Sequence, residues 1–302
     1  GEPVKILAIG GSPTECVYLD DTEAWPYLLG ERLKTYYGNN GMVWVGNAAK
    51  SGTTVIMNEL QLRYGLSQVK GIKYIIALCG INDMNAWVLG KEQDKNMLDN
   101  TYWLFYHNPV SFYNGTTRAS IMEIFTKTIL AQKLKSLYYI SKGVVQDSTG
   151  SWMIKYRADR AKSVKINIQG KLKQISSELD NYKKRLKDLH ETAYQNKEII
   201  IFLTQPALWR ANLTQEEEGL LMFGSLDKKG TYFANTKELF KALTLFNSAL
   251  RDYCESNNIP CIDLARDMRD EKDIFYDDFH FNEKGSRIAA DILSRRLKDI
   301  IK

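Results

Sequence analysis

Five short apolar runs constrain the fold of this 302-residue chain more than any other feature: Val4 to Ile9, Met42 to Val45, Lys73 to Leu78, Glu198 to Thr204 and Pro260 to Leu264. They are rich in Ile, Val and Leu and lack clean polar–apolar alternation, as strands do when both faces of their sheet are covered. Helical periodicity fills the gaps. Trp25, Leu28, Leu29 and Leu33 form one apolar face after the first run, with Gly38 as its expected stop. Leu172, Ile175, Leu179, Tyr182, Leu186 and Leu189 recur at helical spacing before the fourth run, and Leu239, Leu243, Phe246 and Leu250 do so before the fifth. A last helix is expected from Asn282, a good N-cap, with Ile288, Ile292, Leu293 and Leu297 on one side. This alternation, with right-handed crossovers, predicts an α/β fold, a doubly wound sheet of about five parallel strands flanked by helices. Ligands of such sheets bind beyond the carboxyl ends of the strands, so chemistry is sought just after each run.

One connection breaks the rhythm. Met84 to Lys197 separates the third and fourth strands, several times the dozen or so residues a crossover needs. The expectation is a single domain over residues 1–302 that carries a mainly helical insertion at 91–170. Its early part is aromatic-rich, with Tyr102, Trp103, Phe105, Tyr106, Phe112 and Tyr113. Two readings stand: these rings form a lid or wall over the site, or they pack the insertion's own small core.

Composition excludes several classes. With 44% hydrophobic and 25% charged residues the chain is that of an ordinary soluble globular protein. The net charge of +5 arises from 41 basic and 36 acidic side chains, spread through mixed stretches such as Lys183 to Lys187. A nucleic-acid partner would need a denser basic stripe, and none is expected. No apolar run reaches the roughly 18 residues of a membrane span. The first run begins almost at residue 1, so the expectation is a leader already removed and an extracytoplasmic location, secreted or periplasmic. Cys16, Cys79, Cys254 and Cys261 contain no C-x-x-C pair, which argues against zinc. Cys79 reads as core; Cys254 and Cys261 flank a helix-to-strand turn, where a bridge is one option.

The strand ends hold the candidate chemistry. Strand one runs into Gly10-Gly11-Ser12-Pro13-Thr14-Glu15, a sharp turn that sets a serine where active sites form. Strand two is followed by Lys50-Ser51-Gly52-Thr53, where a glycine can offer its N–H to a ligand. Strand three ends in Gly80-Ile81-Asn82-Asp83, whose asparagine can donate to an oxyanion or cap a helix. Past strand five comes Asp277-Asp278-Phe279-His280. An aspartate three residues before a histidine can fix its tautomer and stabilise the imidazolium, and Asp278 is a competing partner. Of the other histidines, His190 sits in a charged helix and reads as exposed. His107, in the aromatic insertion, reads as structural or lid-associated.

Taken in order, these blocks resemble the SGNH (GDSL-like) hydrolases, whose four motifs supply Ser, Gly, Asn and His. The match spans residues 4 to 90 and about 196 to 300. The resemblance implies a flavodoxin-like, three-layer fold and a serine esterase. Ser12 would be the nucleophile, His280 the base and Asp277 its orienting partner, as the family spacing favours. Ser12, Gly52 and Asn82 would form the oxyanion hole. No metal or organic cofactor is implied. The first motif usually reads Gly-Asp-Ser, and Gly11 stands here in place of the aspartate; that aspartate is no triad member, so the chemistry should survive. The implied substrates are acyl esters on small molecules or glycans, with short-chain O-acyl groups favoured. An O-acyltransferase, a lysophospholipase or thioesterase, and a catalytically silent binder on the same scaffold are the alternatives. Gln205-Pro206, Arg157 and Arg160 either contact substrate or are a turn and solvated charges. An α/β-hydrolase would need Gly-x-Ser-x-Gly, and Thr14 breaks it. A Rossmann binder would need Gly-x-Gly-x-x-Gly, which is absent.

Overall fold

The computed structural model describes residues 4–37, 43–91, 93, 95–107, 151–227 and 229–301. Its strands, in chain order, are β1 (Val4–Gly10), β2 (Val43–Asn47), β3 (Ile72–Leu78), β4 (Val164–Ile166), β5 (Ile199–Leu203), β6 (Tyr232–Ala234) and β7 (Cys261–Ile262). Its helices are α1 (Ser12–Glu15), α2 (Trp25–Tyr37), α3 (Val55–Tyr64), α4 (Ile81–Val88), α5 (Lys95–His107), α6 (Ser151–Lys162), α7 (Gln169–Leu172), α8 (Ser176–Gln195), α9 (Gln215–Leu220), α10 (Thr236–Ser256), α11 (Leu264–Asp267) and α12 (Glu283–Leu297).

The five anticipated runs pair as one parallel sheet in the order β2-β1-β3-β5-β7. Its central strands are sealed from water: Ile6, Ala8 and Ile9 of β1, Ile75 and Ile76 of β3, and Ile201 and Phe202 of β5 are all fully buried. Helices cover both faces. α2 and α12 pack together, while α8 packs against α3 and α10. The periodic residues do this work. Trp25, Leu29 and Leu33 of α2, Tyr182, Leu186 and Leu189 of α8, and Leu239, Leu243, Phe246 and Leu250 of α10 are buried. Each such side chain contributes roughly 1.5–3 kcal/mol through burial. Asn282 caps α12, its side chain accepting from Gly285 N at 2.9 Å.

Several expectations need correction. β7 holds only Cys261–Ile262, because Asp263 ends the strand: its carboxylate accepts from Arg266 N and caps α11, which begins at Leu264. A second, two-stranded parallel sheet, β4 with β6, was not anticipated. Each of its strands has three residues, and Val164 and Tyr232 are exposed, so no apolar run marks them. The stop at Gly38 and the aromatics Phe112 and Tyr113 lie outside the described residues. Within 91–170 the described elements are α5, α6, β4 and α7. Cys254 and Cys261 are free thiols rather than a bridge. Cys254 donates to Cys261, which together with burial pushes its thiol up. His190 is not solvated: it is half-buried with Nδ1 3.3 Å from Tyr253 Oη, and burial lowers its pKa.

Candidate active site

The site is built where β1 leaves the sheet. Gly10 has φ 150°, and a Cβ there would overlap Leu78 O and stand 2.7 Å from Thr14 Oγ1. Only glycine lets the chain turn away against β3 at that point. Ser12 follows, at the start of the short helix α1, with Pro13 suited to its first turn. Trp25 Nε1 donates to Pro13 O at 3.2 Å and ties this turn to α2.

His280 arrives from the loop before α12. Its Nε2 is 2.7 Å from Ser12 Oγ and its Nδ1 is 2.7 Å from Asp277 Oδ2. Asp277 Oδ1 accepts the backbone N–H of Phe279 and of His280, each at 3.0 Å, so the carboxylate is held at both oxygens. A carboxylate facing Nδ1 accepts a hydrogen bond from Nδ1–H, which leaves the Nε2 lone pair for the Ser12 hydroxyl. Asp277 is fully buried and His280 nearly so, while Ser12 is partly open. The rings of Tyr18 and Phe223 flank the imidazole, with centroids 5.3 and 5.7 Å away.

Asp278, the competing partner, turns away. It accepts Trp209 Nε1 at 2.7 Å, Met222 N at 2.7 Å and Phe223 N at 3.0 Å. Burial raises its pKa against the opposing pull of Arg160.

Two further loops close the corner. Gly52 has φ 78°, left-handed backbone that favours glycine, and its Cα faces open space. Its neighbours are pinned: Glu15 Oε2 accepts Ser51 N at 2.6 Å and also the Ser51 hydroxyl, while Lys50 N donates to Gly10 O at 3.1 Å. Asn82, in the first turn of α4, donates from Nδ2 to Thr53 O at 2.9 Å. Asp83 points the other way. It accepts Val55 N at 3.1 Å, which caps α3, and faces Arg185 Nε at 3.2 Å. Burial pushes Asp83 up to about 6 even with Arg185 beside it. Ser12, Asp277 and His280 are thus joined by direct hydrogen bonds. Gly52 and Asn82 reach the same corner through Ser51, Thr53 and the Gly11 turn.

Arg157 and Arg160 are not simply solvated charges but are tied to protein acceptors. Arg157 donates to Leu220 O at 3.3 Å and Tyr276 O at 2.6 Å; Arg160 donates to Phe223 O and to Thr236 Oγ1 at 2.9 Å. Gln205 is buried in a turn held by Asn247, which accepts Gln205 N at 2.9 Å and donates to its carbonyl at 3.0 Å. Trp103 is exposed, and the side chain of His107 lies outside the described residues. Sequence reasoning missed Glu15, Tyr18 and Phe223, because their roles depend on partners far along the chain. Among the described residues, no group of three or more His, Cys, Asp or Glu could hold a metal ion, and no helix is long and apolar enough to cross a membrane.

Residues 8–288 match the GDSL-like Lipase/Acylhydrolase family. The chain belongs to that family. As one of these GDSL-like proteins it is a hydrolase acting on ester bonds. No curated protein sequence matches it. Among solved structures it is similar to a G-D-S-L family protein from Desulfitobacterium hafniense, with TM-score 0.50 and 13% identity over 97% of this chain and 99% of that one. It is also similar to LAE5, an alpha/beta hydrolase enzyme from the metagenome of Lake Arreo, with TM-score 0.50 and 13% identity over 99% of this chain and 97% of that one. An acetylxylan esterase from Geobacillus stearothermophilus superposes with TM-score 0.48 at 14% identity, over 98% of this chain and 95% of its own. The first two likenesses concern the fold, and they agree with a parallel five-stranded sheet between helical layers.

Proposed function

We propose that the protein is a serine esterase that removes a short-chain O-acyl group, such as an acetyl on a carbohydrate hydroxyl, through a Ser12–His280–Asp277 triad. The observation that carries this reading is the pair of 2.7 Å hydrogen bonds running from Ser12 Oγ through the imidazole to Asp277. Ser12 Oγ attacks the acyl carbon as His280 Nε2 takes its proton. Asp277 holds the ring and stabilises the imidazolium without taking the proton itself. The Ser12 and Gly52 backbone N–H groups and Asn82 Nδ2 hold the oxyanion; losing one such donor costs about 10²- to 10³-fold in rate. The intermediate collapses, and His280 returns the proton to the departing alcohol oxygen. Water, deprotonated by His280, then cleaves the acyl-enzyme and releases the acid. In this reading the rings of Tyr18 and Phe223, which flank the imidazole, form the wall that keeps the acyl group short.

The test is fluorophosphonate labelling with mass mapping, beside a panel of esters of increasing acyl length and acetylated sugars. The expected label is on Ser12, and Ser12→Ala lowers kcat on the order of 10⁴-fold or more. Full activity in Ser12→Ala would overturn the triad reading. A preference for long acyl chains would overturn the substrate class alone.

A further inference from the structure

Gly10 and Gly11 are adjacent, yet the structure requires them for different reasons. Gly10 is demanded by the fold, since its φ of 150° and the overlap with Leu78 O both concern backbone. Gly11 has φ −90° and ψ −160°, extended backbone that any residue adopts. Nothing in its conformation asks for glycine. What asks for it is space. A Cβ at position 11 would overlap Asn82 Nδ2, while Asn82 Cγ and Thr53 O would stand at an ordinary 3.6 Å. The conflict is thus confined to one amide nitrogen. That nitrogen is held against the Gly11 Cα by its hydrogen bond to Thr53 O at 2.9 Å.

We propose that Gly11 is a positioning residue: the missing Cβ is the seat of the Asn82 amide, and it sets where that amide meets the substrate oxygen. The proposal rests on Asn82 being an oxyanion donor, as in the proposed function. Its physical consequence is specific. A Cβ at position 11 meets no backbone atom closer than Thr53 O at 3.6 Å. It is accommodated by turning the end of Asn82, the cheapest available shift, and the fold is left intact. The donor, however, leaves its place. The family's usual aspartate at this position would therefore impair this chain rather than improve it, because loop and amide are fitted to a bare Cα.

A double-mutant cycle with kcat and KM measured separately tests this. Gly11→Ala is expected to lower kcat about 10²-fold, the cost of one oxyanion donor, with KM changed less than about threefold and the thermal midpoint unchanged. Asn82→Gly is expected to lose a similar factor. The double variant Gly11→Ala/Asn82→Gly should be no slower than Asn82→Gly, because the amide that the added methyl group displaces is already gone. Gly11→Asp should also lose activity. Independent, multiplying losses in the cycle would overturn the proposal, as would a Gly11→Ala enzyme with wild-type kcat beside a crippled Asn82→Gly. A drop in thermal midpoint that accounts for the lost activity would overturn it too, by making Gly11 a residue of the fold. If Asn82→Gly itself keeps full kcat while Ser12→Ala is dead, the donor assignment and this proposal fall and the triad reading stands.

Discussion

Asp277 and Asp278 share a peptide bond, and their side chains leave the backbone in opposite directions. Asp277 faces the His280 ring, while Asp278 gathers Trp209 Nε1 and the N–H groups of Met222 and Phe223. Burial makes the Asp278 charge costly, which is why its pKa is raised. Removing it is costlier, because two buried donors and one part-buried donor then lose their acceptor, at about 1–3 kcal/mol for each buried one. Asp278→Ala is accordingly expected to destabilise the fold by on the order of 3 kcal/mol or more, read as a lower urea midpoint. An unchanged midpoint would show that water replaces the carboxylate without penalty. The hydrogen-bonded trio of Ser12, His280 and Asp277 was legible at this scale because Asp277 and His280 lie within one turn of chain, and because Ser12 follows a strand. The role of Asp278 was not, since its partners sit some 55 to 70 residues upstream. The same holds for Glu15, whose carboxylate steadies Ser51 beside Gly52.

Long elements with a full apolar face declare themselves, and short ones do not. The periodic Leu239, Leu243, Phe246 and Leu250 of α10 are all buried, as their spacing requires. β4 and β6 offer three residues apiece and find each other only through the folded chain. α6 shows a further kind of hidden role. Arg157 reads as a solvated charge or a substrate contact, yet it reaches from this helix to Tyr276 O at 2.6 Å and Leu220 O at 3.3 Å. Tyr276 N in turn donates to His280 O at 2.8 Å, so one arginine braces the loop that carries His280. Hydrogen bonds from a charged donor are worth about 1.5–3 kcal/mol. Arg157→Ala is expected to lower kcat roughly tenfold, equivalent to about 1.4 kcal/mol of lost alignment of His280. Burst-phase acylation of Ser12 measures this directly, and a wild-type acylation rate would show that the loop holds without its brace.

Across the whole molecule, the two ends of the sheet carry different burdens. The strand carboxyl ends hold Ser12 and the His280 and Asp277 bonded to it; the opposite end holds Glu198, immediately before β5 and only 8% exposed. Asn196 Nδ2 donates to its carboxylate at 3.5 Å, too distant to offset the loss of water. Burial pushes Glu198 from its ordinary 4.5 up to about 7. Between those values the folded chain keeps a proton that the unfolded chain has released, so stability falls as pH rises through that window. Below 4.5 both states hold the proton and the contribution is fully present; above about 7 both have lost it and the contribution is gone. Asp83, raised to about 6, acts in the same direction. Asp263 and Glu217, whose pKa values are lowered by their hydrogen bonds and arginine partners, act oppositely at more acid pH, where protonation removes stability. Glu198→Gln keeps the shape and removes the charge. Its thermal midpoint is expected to match wild type near about pH 4, to exceed it progressively up to about pH 7, and to keep a constant lead at about pH 8. The lead should be roughly 2–4 °C for each kcal/mol recovered. Because Glu198 lies at the end of the sheet away from Ser12, the pH profile of kcat should be unchanged. A lead that is the same at the acid and alkaline ends of this range would show that the effect is packing rather than charge.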